Sequence, residues 1–162
     1  MNDSQQPLIL VVDDEPEVLG EVAAATTAAG YACHGCATGE AAEEFAQRHL
    51  PDLIILDVQL GGQSGLALCE RLKSAPALRR VPVMFLSRSQ VPDIIRRNDT
   101  VGGTYYLRKP LDPRVLVELI DMLTSAAGTR EFLADPNLMV PCEVIHGNAN
   151  DRGVGPQEMC PL

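Results

Sequence analysis

Residues 53–57 read Leu-Ile-Ile-Leu-Asp (LIILD). Four apolar residues in a row, without alternation, suit a strand covered on both faces, as strands inside parallel sheets are. The run from Leu53 to Leu56 stops on a carboxylate, Asp57. Upstream, Leu8 to Val12 (LILVV) has the same character and stops on Asp13 and Asp14. Downstream, Val81 to Leu86 (VPVMFL) carries Pro82 near its start, where a strand tolerates it, and stops on Ser87. Tyr31 to Gly35 is a weaker strand, and Thr104 to Leu107 is a fifth, followed by Lys109 and Pro110.

The segments between these runs change period. After Pro16, Val18, Leu19, Val22 and Ala29 recur at helical spacing, and Gly30 ends the helix. A second helix is expected over Glu40 to Leu50, with Ala42 and Phe45 inward. Gly61, Gly62 and Gly65 mark a loop, and Leu66 to Lys73 follows as a helix with Leu66, Cys69 and Leu72 inward. Ile94 and Ile95 lie on a short helix after Pro92. Asp112 and Pro113 read as cap and first residue of a last helix, whose Leu116, Leu119, Ile120 and Leu123 form one face. Strict alternation of strand and helix predicts an α/β fold, a five-stranded parallel sheet with helices on both faces.

In such a sheet, ligands bind beyond the carboxyl ends of the strands. Asp13, Asp14, Asp57, Ser87 and Lys109 would all meet there. Taken singly, each has a plain structural role: Asp14 as a helix cap, Asp57 in a turn, Ser87 as another cap, Lys109 as a solvated lysine. Taken together, they place three carboxylates, a hydroxyl and an ammonium at one edge. Crowded carboxylates repel unless a cation joins them, and hard oxygen ligands at an open site suit Mg²⁺. A carboxylate in that setting can attack a phosphoryl group and become an acyl phosphate, with charge neutralised by the cation and the lysine.

The segments VVDDEP, LIILDVQLGGQSG, VMFLSRS and GGTYYLRKP resemble the acid pair, phosphorylation loop, hydroxyl position and Lys-Pro motif of response-regulator receiver domains. Their order and spacing are similar to those of the chemotaxis response regulators, over roughly residues 7 to 126. The resemblance implies a flavodoxin-like doubly wound sheet of strand order 2-1-3-4-5. It implies Asp57 as phosphoacceptor and Mg²⁺ held by Asp14, Asp57 and the Gln59 main-chain carbonyl, with Asp13 acting through water. Lys109 would contact the phosphoryl group, and the Lys109–Pro110 bond would be cis. Ser87 and Tyr106 would be the switch pair, the ring turning inward as the hydroxyl moves to the phosphoryl group. That motion would change the face made by the fourth helix, fifth strand and fifth helix. The implied partners are a histidine kinase or histidine phosphotransfer protein and an unnamed downstream protein, with a phosphorylation-dependent homodimer as a further option. No enzymatic activity is expected beyond the domain's own phosphotransfer and dephosphorylation. Asp93 and the surrounding QVPDIIRRNDT depart from the family pattern and predict a short fourth helix, and two further positions depart as well. Gly61 replaces the usual proline, which predicts a looser loop, and Arg88 replaces a small residue after Ser87. Arg88 is expected to obstruct the approach to Asp57, so that Arg88→Ala accelerates both gain and loss of the phosphoryl group.

Composition narrows the rest. The chain has 162 residues and a formal net charge of −9, which argues against nucleic acid as a direct partner. No stretch reaches the roughly 18 to 20 apolar residues of a membrane span. MNDSQQP lacks the marks of an export signal, so a cytoplasmic location is the expectation. The five cysteines read as free thiols, and Cys33 and Cys36, three apart on a strand, would face opposite sides and not chelate together. Residues 1–126 are expected to form the receiver domain and 127–162 a partly ordered tail, without a separate output domain. Two rival functions are weaker. A haloacid-dehalogenase-type phosphatase wants its nucleophile on the first strand and a second acid two positions on, where this chain has adjacent Asp13 and Asp14. A phosphorylation-independent pseudo-receiver, a protein-binding module, usually lacks part of the acidic site that is complete here.

Overall fold

The computed structural model describes residues 6–88 and 104–125, with the backbone of Val144–Ile145. The three apolar runs ending in acids or Ser87 form the middle of the sheet. β1 (Leu8–Val12) pairs in parallel with β2 (Ala32–Cys36) on one side and β3 (Leu53–Asp57) on the other. β4 (Val83–Ser87) and β5 (Thr104–Arg108) continue the sheet beyond β3, also in parallel. The order β2-β1-β3-β4-β5 is the one expected. A two-residue strand, β6 (Val144–Ile145), adds to the outer edge of β5 opposite Tyr106 and Leu107. The sequence reading gave the tail no strand.

Both faces of the sheet are covered, which explains why β1, β3 and β4 read as unbroken apolar runs. Ile9, Val11, Ile55 and Met84 pack with Val18 and Val22 of α1 (Pro16–Ala28). Leu116, Leu119, Ile120 and Leu123 of the Pro113–Thr124 helix join that cluster, as predicted. On the other face, Leu10, Ile54, Leu56 and Phe85 meet Ala42 and Phe45 of α2 (Gly39–Arg48) and Leu68, Cys69 and Leu72 of α3 (Gly65–Ser74). Cys33 and Cys36 fall on opposite faces, each among apolar side chains, as a strand requires. Burial pushes both thiols up, and that of Cys69 to about 11, so all three are packing residues.

Several boundaries move. β2 begins and ends one residue later than expected, and α2 stops at Arg48, two residues early. β4 begins at Val83, not Val81. Pro82 has no N–H for the ladder, though its carbonyl accepts from the Ile54 amide at 3.1 Å. Ala29 is exposed at the end of α1, and the inward place belongs to Thr26, fully buried, with its hydroxyl donating to the Val22 carbonyl at 2.7 Å. In α3, Leu68 is buried where Leu66 was expected to be; Leu66 is only partly covered. The short helix expected after Pro92 lies outside the described residues.

The glycine segment is more ordered than a loop. Gln59–Leu60 and Gln63–Ser64 pair antiparallel around Gly61 and Gly62, whose φ angles of 52° and 87° suit glycine. Gly65 is the first residue of α3, and Ser64 caps it by accepting the Ala67 amide at 3.4 Å.

Candidate functional site

Four strand ends converge on one site. β1 delivers Asp13, Asp14 and Glu15, β3 delivers Asp57, and β4 delivers Ser87. The Lys109 amide donates to the Ser87 carbonyl at 2.9 Å, which fixes Lys109 just past β5, and the Lys109–Pro110 bond is cis, as expected. Asp13, Asp57, Ser87 and Lys109 are all buried, whereas Asp14 is exposed.

The Lys109 ammonium is the hub. Its Nζ lies 2.7 Å from Asp13 Oδ2, 3.0 Å from Glu15 Oε1 and 3.1 Å from Asp57 Oδ2. Burial alone would push this ammonium down, but bonds to three carboxylates outweigh burial and hold it above the ordinary lysine value. Asp13 goes the other way. Burial lifts its carboxyl above the usual range, although Lys109 and the Glu15 amide both pull it down. Asp13 Oδ1 accepts that amide at 2.9 Å, and Asp57 Oδ1 accepts the Gln59 amide at 3.1 Å. The Asp57 carboxylate is thus held at both oxygens.

Oxygens of Asp13, Asp14 and Asp57 lie within 4.8 Å of one another. Asp14 does not cap α1; the cap position is Glu15. Gln59 stands in the short hairpin beside Asp57. Arg88, directly after β4, turns to Glu15. Its Nε donates to Oε1 at 3.1 Å, and its Nη2 bonds Oε2. Arg88 lowers the Glu15 carboxyl below its ordinary value, with Lys109 the second cause. Tyr106 is buried and stacks on Phe85, centroids 5.5 Å apart. Its ring lies inward, the position that the family scheme gives it once the hydroxyl has moved. Glu15 is the site residue that the sequence reading missed. Its signal was there: a third acid in succession at the carboxyl end of the first strand.

This fold and this edge define a class. The family model of the response regulator receiver domain matches residues 9–121, and the chain belongs to that family. It is thus the receiver domain of a two-component response regulator. Among curated relatives, it is 38% identical over 117 residues to the gliding motility regulatory protein of Myxococcus xanthus. It is 33% identical over 120 residues to the phosphate regulon transcriptional regulatory protein PhoB of Pseudomonas aeruginosa. These matches cover 72% and 74% of the chain, but only 15% and 52% of the two relatives. Among solved structures, the chemotaxis protein CheY4 of Vibrio cholerae superposes with a TM-score of 0.69 at 25% identity, covering 74% of this chain and 99% of that one. A receiver domain of a histidine kinase from Syntrophus aciditrophicus gives 0.65 at 32% identity, covering 74% of this chain and 90% of that one. Among the described residues, no helix is long and apolar enough to cross a membrane.

Proposed function

We propose that Asp57 accepts a phosphoryl group from the phosphohistidine of a histidine kinase or histidine phosphotransfer protein. A carboxylate oxygen bonds phosphorus as the phosphorus–nitrogen bond breaks, and the leaving imidazole takes a proton. The observation that carries this reading is the seating of Asp57 Oδ2 3.1 Å from Lys109 Nζ, among the acids of β1. One cation thereby balances the acceptor now and is placed to meet the charge of the phosphoryl oxygens later.

The acid cluster suits a hard divalent cation. Its donors are carboxylate oxygens gathered within 4.8 Å, those of Asp13 and Asp57 buried, and burial lifts the Asp13 carboxyl above its ordinary value. Asp13, Asp14 and Asp57 would hold Mg²⁺, with the Gln59 main-chain carbonyl. Held there, Mg²⁺ would offset the negative charge of the Asp57 carboxylate and of the phosphoryl oxygens. Ser87 is at the end of β4 and Tyr106 on β5, so a change at the hydroxyl has a short path to the ring. We assign these two as the switch pair that signals to a downstream protein. Residues 1–126 serve as the receiver unit, a reading supported by the Pro113–Thr124 helix, which closes the packing on one face of the sheet.

The test is intact mass after incubation with acetyl phosphate and Mg²⁺. The wild type is expected to gain one phosphoryl group, and Asp57→Asn to gain none. Full phosphorylation of Asp57→Asn would remove Asp57 from the role.

A further inference from the structure

An ammonium has three N–H donors. In this chain the Lys109 ammonium donates to Glu15 Oε1 at 3.0 Å and to Asp57 Oδ2 at 3.1 Å, and it pairs with Asp13 Oδ2 at 2.7 Å without hydrogen-bond geometry. Three carboxylates ring the ammonium, so a phosphoryl oxygen that comes within bonding distance of it has to displace the most loosely held of them. Asp57 is the acceptor and stays. Asp13 is fully buried and tied through its other oxygen to the Glu15 amide. Glu15 is different. Its side chain is 31% exposed, and it already has a second cationic partner, Arg88. Its backbone is pinned by the Asp13 bond, by Pro16 and by the Leu19 amide donating to its carbonyl at 3.2 Å, so only the side chain is free to swing.

We propose that Glu15 is a built-in stand-in for the phosphoryl anion, which occupies Lys109 in the resting chain and withdraws onto Arg88 when Asp57 is phosphorylated. Glu15 and Arg88 are positioning residues in this scheme, and the proposal rests on the phosphoacceptor reading above. Arg88 is 69% exposed, so it can follow the carboxylate outward while keeping the ion pair. Without that seat, the carboxylate would stay beside a second anion. The expectation of an obstructing Arg88 weighed the guanidinium against the phosphoryl oxygens and not against Glu15. Its pair with Glu15 reverses the sign: removing Arg88 slows phosphorylation.

The experiment compares Glu15→Gln, Arg88→Ala and the double variant, with circular dichroism as the fold control. Phosphorylation by acetyl phosphate at saturating Mg²⁺ should be about fivefold faster in Glu15→Gln, the scale of one partly exposed ion pair. Arg88→Ala should be slower than wild type by a similar factor. The double variant should match Glu15→Gln, because Arg88 acts only through Glu15. A Glu15→Gln no faster than wild type overturns the proposal. So does a double variant slowed relative to Glu15→Gln by the full Arg88 factor, because Arg88 would then act on the donor itself. A second readout needs neither turnover nor metal: the rise in Tm caused by inorganic phosphate in EDTA. It should be larger in Glu15→Gln than in wild type, and an equal rise overturns the proposal. If the wild type takes no phosphoryl group at all, the phosphoacceptor reading falls, while the phosphate comparison still decides the role of Glu15.

Discussion

Gly65 has no chemistry, yet the geometry of Asp57 depends on it. A Cβ built there would lie 1.9 Å from the Asp57 carbonyl oxygen, a backbone atom that cannot turn aside. The Gly65 amide also donates to the Val58 carbonyl at 2.8 Å, drawing the start of α3 against the end of β3. Gly65→Ala must therefore push the two apart. The expected cost is about 1–3 kcal/mol, as for other overpacked sites, with slower phosphorylation of Asp57 on top. Urea unfolding together with the acetyl phosphate assay checks both, and unchanged values would mean that the helix start shifts freely. Asp13 gives a residue-scale prediction in pH. Burial raises its carboxyl above the ordinary 3.8, so between that value and the raised one the native state holds a proton that the unfolded chain releases. Stability then falls as pH rises through this window, and the ionised carboxylate remains a cost above it. Metal-free Asp13→Asn should have a higher urea midpoint than wild type at neutral pH, with the gap closing below the ordinary aspartate range. A lower midpoint at neutral pH would show that the Lys109 pair outweighs burial. At this scale the sequence was generous with Asp13, Asp14, Asp57, Ser87 and Lys109, which sit at strand ends. Glu15 and Thr26 escaped it, because a carboxylate beside a proline and a threonine in a helix both read as surface until the packing is known.

The elements were legible wherever one face or both had to be buried. The Pro113–Thr124 helix came out residue for residue on its inner face, because cap, proline and apolar stripe all agree there. Boundaries slipped where those signals part company. Pro82 is apolar and sits in an apolar run, but it has no amide to give to β3, so the strand starts after it. Gly65 looked like loop because the two glycines before it are; its role is close approach, which no local pattern distinguishes from a turn. Leu66 and Leu68 differ by two positions on a helix that is amphipathic only in part, so the inward one was decided by the sheet beneath. β6 was illegible for another reason. A two-residue strand carries no period, and its pairing with β5 spans nearly forty positions of sequence.

For the molecule as a whole, strand order has a consequence for time. β3 sits between β1 and β4, with helices over both faces, so the Asp57 backbone is the last strand end that can fray. Amide hydrogens on Ile54, Ile55 and Leu56 should exchange with solvent only when the whole domain opens, at the rate set by global unfolding. Those of β2, an edge strand with His34 and Gly35 exposed, should exchange through smaller openings and much sooner. Mass spectrometry or NMR of exchange resolves the two groups, and equal protection on β2 and β3 would contradict it. The Asp57 backbone thus has no clock of its own: its position lasts as long as the fold does.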